Sequence, residues 1–287
     1  MKITTIIENS LGDKKELYNE HGISFFIETN NGNILFDTGQ SGDFIENANN
    51  LNIDLSKTDY LVLSHAHYDH CGGVKRFLDS FNVKSKFYVS NKFFLNSKKY
   101  HYLYERINSD FNCNKARYKY IGIDFDESFI KEKKLDINYV KDDMIELIDN
   151  IKIFTNFERR YDFEKRNPNM MIKRGEEYIV DTFEDEIVLS IETEKGLLIL
   201  LGCSHPGILN IIYSIMKRTR KNIYGILGGT HLVEADNNRI EKTIQVLKEM
   251  NIKLLGVSHC TGKKAVEAFK NQCDNFFVNS TGTIIEL

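Results

Sequence analysis

The chain has 287 residues, 41% hydrophobic and 28% charged, which is enough to bury a large core and is ordinary for a globular protein. Lys plus Arg is 38 and Asp plus Glu is 41, a net charge of -3, so no global basic field points to nucleic acid or an anionic membrane. No run of about 18 apolar residues could span a bilayer, the opening residues lack a signal-peptide core, and five cysteines do not read as a disulfide framework. A cytoplasmic protein acting on a small molecule is expected, of open oligomeric state.

The N-terminal part reads as a meander. "KITTIIE" is a strand, and "GISFFIETNNGNILFDTG" is two apolar runs around the hairpin signal "NNGN". "GDFIENANNLNI" predicts a short helix and "TDYLVLSH" a buried strand. "GGVKRFLDSF" predicts an amphipathic helix with Val74, Phe77, Leu78 and Phe81 on one face, followed by the strand "KFYVS".

From about residue 91 to 180 periodicity is weak, with short strands expected at "YKYIGI" and "IKIFTNF". Order returns with two strands in "EIVLSIETEKGLLILLGCSH". Helices at "GILNIIYSIMKRT", "RIEKTIQVLKEMN" and "KKAVEAFKN" then alternate with strands at "IYGILGGTH", "KLLGVSHC" and "GTIIEL". Strands first and strand–helix alternation later predict sheets covered by outer helices.

Four strands end in histidine-bearing turns: "LVLSHAHYDH", "LLILLGCSH", "YGILGGTH" and "KLLGVSHC". They carry His65, His67, His70, His205, His231 and His259, six of the eight histidines. Ligands gather beyond the carboxyl ends of strands in α/β sheets, and donors from distant strand ends suit a metal site on a rigid frame. In extended chain, residues two apart face the same side, so His65 and His67 can hold one ion. Asp69 and His70 follow where the chain turns, and can face a second. Gly72 and Gly73 are read as permitting that turn. Crowding ligands into His65–His70 has no packing benefit, because polar groups buried unpaired are costly. Taken singly, His205, His231 and His259 could each be a surface or capping residue.

"HAHYDH" with the following "CGG" resembles the signature of metallo-β-lactamase fold hydrolases. "NILFDTG", "GCSHPGI", "GGTHL" and "SHCTG" resemble a narrower group, named for 7,8-dihydropterin-6-methyl-4-(β-D-ribofuranosyl)aminobenzene-5'-phosphate synthase. The resemblance covers both ends of the chain and little of 91–180. It implies an α/β fold, a four-layer αββα sandwich of two mixed sheets with outer helices, as a single domain over 1–287 with an insertion around 91–180. It also implies that His65, His67 and His205 hold one metal and Asp69, His70 and His259 a second. Asp37 would then support a ligand imidazole by accepting its other N–H; Asp-Thr-Gly also reads as a turn.

The departure is at the bridge between the ions. No strand-end "GD" follows His205, leaving His231 or Cys203 as the substitute. Cys71, Cys203 and Cys260 are candidate thiolate ligands, or small residues suited to a strand end. Two zinc ions per chain are expected, with manganese or iron as alternatives. Such ions make hydroxide available near neutral pH.

The expected activity is hydrolysis of an ester, lactone or phosphodiester of a small metabolite, pterin-related or phosphorylated, at a mono- or binuclear site with Asp69 as the catalytic carboxylate. The alternatives are an iron-dependent oxidoreductase or oxygenase, and a non-catalytic metal-anchored binding protein. Around the site, "FERRYDFEKRNPNMMIKRG" offers a phosphate grip or a mixed-charge face. "KKYHYLYERI" offers Tyr100, His101, Tyr102 and Tyr104 as an aromatic wall or as packing. His21 and His101 read as surface or packing residues.

Overall fold

The computed structural model describes residues 1–103 and 117–287. Its first sheet contains β1 (Lys2–Ile7), β2 (Ser24–Glu28), β3 (Asn33–Phe36), β4 (Thr58–Val62), β5 (Lys86–Ser90), β8 (Asp136–Val140) and β17 (Ile284–Glu286). The order is β17-β1-β2-β3-β4-β5-β8, antiparallel up to β3 and parallel from β3 onward. The β2–β3 hairpin pairs Ile27 with Ile34, and its turn uses Gly32 at φ +131, a backbone value open to glycine.

The second sheet contains β9 (Met144–Ile148), β10 (Ile151–Phe154), β13 (Val188–Thr193), β14 (Gly196–Leu201), β15 (Ile223–Gly229) and β16 (Leu254–Ser258). Its order is β16-β15-β14-β13-β10-β9, with β14, β15 and β16 parallel. Both sheets are therefore mixed, as expected.

The layers follow from which faces are apolar. Phe25, Ile27, Phe36 and Val62 of the first sheet meet Ile153, Leu189, Leu198 and Leu200 of the second in one buried cluster. On the outer side of the first sheet lie α1 (Phe44–Asn50), α3 (Val74–Ser80) and α4 (Glu127–Glu132), through Phe44, Phe77 and Ile130. The second sheet is covered by α5 (Ile208–Thr219), α6 (Asn237–Glu249) and α7 (Lys263–Gln272). In α6, Ile240, Ile244 and Leu247 recur at helical spacing and are buried, and Asp236 caps the start by accepting from Arg239 N. Each such side chain contributes about 1.5–3 kcal/mol, so Ile244→Asp would detach the helix. Strands that face a core on both sides read as continuous apolar runs, which is why "GLLILL" shows no alternation.

A third sheet does not stand out in the sequence. It runs β12-β11-β6-β7 and is antiparallel: β6 (Lys99–Leu103), β7 (Arg117–Tyr120), β11 (Met170–Arg174) and β12 (Glu177–Val180). Its alternation splits "KYHYL". His101 and Leu103 face a cavity, whereas Tyr100 packs edge-on against Tyr120 and Tyr178. Of the two readings of this stretch, packing fits Tyr100 and Tyr102. These tyrosines belong to the far face of a strand, and Tyr104 lies outside the described residues. Of the 91–180 stretch, β8, β9 and β10 belong to the two large sheets. Among the described residues no helix is long and apolar enough to cross a membrane.

Candidate metal centre

The parallel strands of both sheets aim their carboxyl ends at one edge. Beyond β4 lie His65, His67 and the short α2 (Tyr68–Cys71), which carries Asp69 and His70; beyond β14, β15 and β16 lie His205, His231 and His259. Ser204, His231 and His259 adopt φ of 65, 48 and 53, left-handed values that are costly for side-chain residues and that cluster at functional sites. Gly72 and Gly73 have ordinary negative φ of -64 and -82, so the turn does not need glycine. What needs it is closeness: a Cβ on Gly72 would stand 1.9 Å from Gln40 O.

Two donor groups form side by side. In the first, His65 Nε2 is 2.9 Å from His67 Nδ1 and 3.2 Å from His205 Nε2. In the second, His70 Nε2 is 3.1 Å from Cys203 Sγ, 3.2 Å from His259 Nε2 and 3.8 Å from Asp69 Oδ2. Asp69 Oδ2 is also 3.4 Å from His259 Nε2. A third set joins Cys203 and His205 to His231, whose ring lies 4.2 Å from that of His205. The His65 and His70 rings are 4.2 Å apart, so the first two groups are neighbours.

The surrounding hydrogen bonds fix the tautomers. His70 Nδ1 donates to Asp37 Oδ2 at 2.7 Å, which turns Nε2 toward the other donors. Ser64 donates its hydroxyl to Asp37, so it accepts from His65 Nδ1 at 2.9 Å. His259 Nδ1 faces Asn9 Oδ1 at 2.9 Å. The Nε2 atoms of His65, His70 and His259 are therefore the ones turned toward the donor groups. Where unprotonated nitrogens face one another their lone pairs repel, and a bound cation reverses the sign of that interaction, so the donor set fits a metal. Asp37 Oδ2 thus accepts from both His70 Nδ1 and the Ser64 hydroxyl. Carboxylates also hold the turns: Glu186 accepts from Ser204 N and His205 N, and Glu8 from His259 N.

The two groups differ in protonation, the first being neutral and the second holding a protonated His70 whose Nε2 proton a bound cation would displace. Burial, then the neighbouring charges, pushes His65, His67 and His205 well below the usual imidazole range, leaving them neutral. Burial also pulls on His70, but Asp37 and Asp69 outweigh it and lift His70 to about 9. For Asp69 burial raises the carboxyl, while His70, His21 and His259 overcome it and hold Asp69 ionised.

Several contributors were not legible in advance. His21 stands 3.2 Å from Asp69 Oδ2 at the cavity mouth. The Phe183 ring lies flat on His205. Asp185 accepts from Ala66 N, between His65 and His67, and pairs with the fully buried Lys99. Of the cysteines, Cys71 donates to His65 O and Cys260 to Cys203 O, whereas Cys203 points its sulfur among the donors.

A cavity of about 760 Å³ opens over these groups, roofed by His101, Leu103, Lys119, Ile121 and Met170 of the third sheet and its edges. Lys165, Arg166 and Arg239 line a neighbouring cavity that shares His101 and Glu234 with it. Glu164 of the same charged stretch instead accepts from Leu209 N and Asn210 N at the start of α5.

A family model described as the metallo-beta-lactamase superfamily matches residues 20–137. The chain is 34% identical over 288 residues to 7,8-dihydropterin-6-methyl-4-(beta-D-ribofuranosyl)-aminobenzene-5'-phosphate synthase of Methanocaldococcus jannaschii, covering 95% of this chain and 91% of that one. It is 32% identical to an uncharacterized protein of the same organism, MJ0448, covering 94% and 95%. Among solved structures it resembles Tm1679, described as a metal-dependent hydrolase of the beta-lactamase superfamily, with TM-score 0.81, 25% identity and coverage of 100% and 99%.

Proposed function

The chain belongs to the metallo-beta-lactamase superfamily, and from that premise we propose that it is a metal-dependent hydrolase of a small metabolite. The observation that carries this reading is the pair of adjacent donor groups, His65, His67 and His205 beside Asp69, His70 and His259, of which His67, Asp69, His205 and His259 line one cavity. Zinc suits neutral imidazoles with one carboxylate. Ions held there would lower the pKa of a bound water and polarise an ester, lactone or phosphodiester bond.

The chain's own residues supply the rest. Asp37, Ser64 and Asn9 orient His70, His65 and His259. Asp69, kept ionised, serves as ligand and as the carboxylate that accepts or orients a proton, and His21 beside it links that carboxylate to solvent. The roof excludes bulk water from the floor and selects substrate, for which a pterin-related or phosphorylated metabolite is proposed.

The test is metal analysis of protein purified without added metal, with a panel of esters, lactones and phosphodiesters, for wild type and His67→Ala. About two ions per chain and hydrolysis of one class, both diminished in the variant, are expected. No ion after reconstitution would sink the reading. The name of the M. jannaschii relative supports a second one, in which the same centre promotes bond formation with an organic nucleophile in place of water. Mass analysis of products separates the two.

A further inference from the structure

A protein group touching both ions would fix their spacing, and this chain lacks a strand-end "GD" aspartate after His205. Two side chains stand near the gap. His231 is one, but an imidazole nitrogen has a single lone pair. Its Nε2 lies 3.5 Å from Glu234, and its donor set includes neither Asp69, His70 nor His259. Cys203 is the other. Its Sγ is 3.1 Å from His70 Nε2 and 3.3 Å from His259 Nε2, and it also falls within the set formed with His205 and His231. The sulfur thus shares sets with Asp69, His70 and His259 of one ion position and with His205 of the other.

The turn that carries it is built for this. Cys203 and His205 are two residues apart, and Glu186 clamps the backbone between them by accepting from Ser204 N and His205 N. Ser204 is held at φ +65. The neighbouring thiol of Cys260 donates to Cys203 O and accepts from His231 N, and it belongs to none of the donor sets among the described residues.

We infer that Cys203 supplies a thiolate shared between the two ions, in the place where a bridging carboxylate is absent. This rests on the metallo-hydrolase reading and deepens it. On metal loading the thiol proton leaves to solvent and the sulfur's lone pairs serve both ions. A soft sulfur at the centre favours zinc, cobalt(II) or iron(II) over magnesium, manganese or calcium. Ions bound at about 2.0–2.1 Å from nitrogen and 2.3 Å from sulfur set donors roughly 3.3–3.5 Å apart, close to the spacings found here.

The test is X-ray absorption at the metal edge, with optical spectra, on the full chain loaded with two cobalt(II) ions. One sulfur neighbour per ion, with a sulfur-to-cobalt charge-transfer band, is expected in wild type and in Cys260→Ser, and neither in Cys203→Ser. Half a sulfur per ion overturns the sharing, because the ligand is then terminal on one ion. Two ions with only nitrogen and oxygen neighbours overturn the thiolate while leaving the hydrolase reading intact. Failure to bind any ion overturns both. If Cys203→Ser does not fold, the wild-type and Cys260→Ser spectra still decide.

Discussion

The ring of Phe183 lies parallel to the imidazole of His205, 4.0 Å between centroids and 7° between planes, while Phe183 itself sits at φ +54. A strained backbone holds this ring as a backstop, and it also meets the His67 ring edge-on at 6.1 Å. Phe183→Ala should therefore lower stability by about 3–5 kcal/mol and weaken metal retention at the His65, His67 and His205 group. Chemical denaturation and competition with a chelator read the two effects separately. A variant that loses stability but holds metal as tightly as wild type would show that the stacking is only packing.

Lys99 is fully buried and pairs with Asp181 Oδ2 at 2.5 Å and Asp185 Oδ1 at 3.0 Å. Burial pulls its pKa down, but the two carboxylates outweigh this and keep the ammonium charged. Lys99→Met leaves those carboxylates uncompensated, and a loss of about 3–5 kcal/mol is expected. Lys99→Met combined with Asp181→Asn and Asp185→Asn should recover part of it, as urea midpoints would reveal.

Burial pushes Glu164 up to about 7, although Leu209 N and Asn210 N donate to it. Its folded pKa lies above the unfolded value of about 4.5, so the folded state binds more protons between those limits. This residue's contribution to stability then falls as pH rises from about 4.5 to 7, by up to roughly 3 kcal/mol. Glu164→Gln should remove that slope and gain on wild type at pH 8. Unfolding curves at pH 5 and pH 8 check it, and parallel pH dependence in the two proteins would refute it.

His21 touches Asp69 but belongs to neither donor group. His21→Ala should retain both ions and lose about 10–100-fold in turnover. Metal counts beside kcat, taken on whichever substrate the panel yields, make the comparison; lost metal would instead make His21 part of ion binding.

The sequence exposed the centre unevenly, for physical reasons. Four polar residues within His65–His70 cannot be a core, so their reading needed no tertiary information. Histidines at strand ends were legible because buried parallel strands announce themselves as apolar runs. Cys203 was harder. It sits two residues before His205, and only the clamp by Glu186 shows that both side chains point inward. Lys99 follows Lys98 directly, with nothing local to pair it, and its carboxylates come from 82 and 86 residues away. The strands of the third sheet are four or five residues each, too short for their alternation to stand out.

Among the described residues the roof sheet contributes cavity wall but no metal donor; every residue in the donor groups lies before β6 or after β12. Part of the cavity wall and the donors beneath it are thus written on separable stretches of chain. Residues along β6, β7 and β11 can diverge without disturbing the donors, provided the Lys99 anchor stays. Relatives with the same donors can therefore be interchangeable in chemistry and unrelated in diet, and a roof exchanged between two of them should carry substrate preference with it.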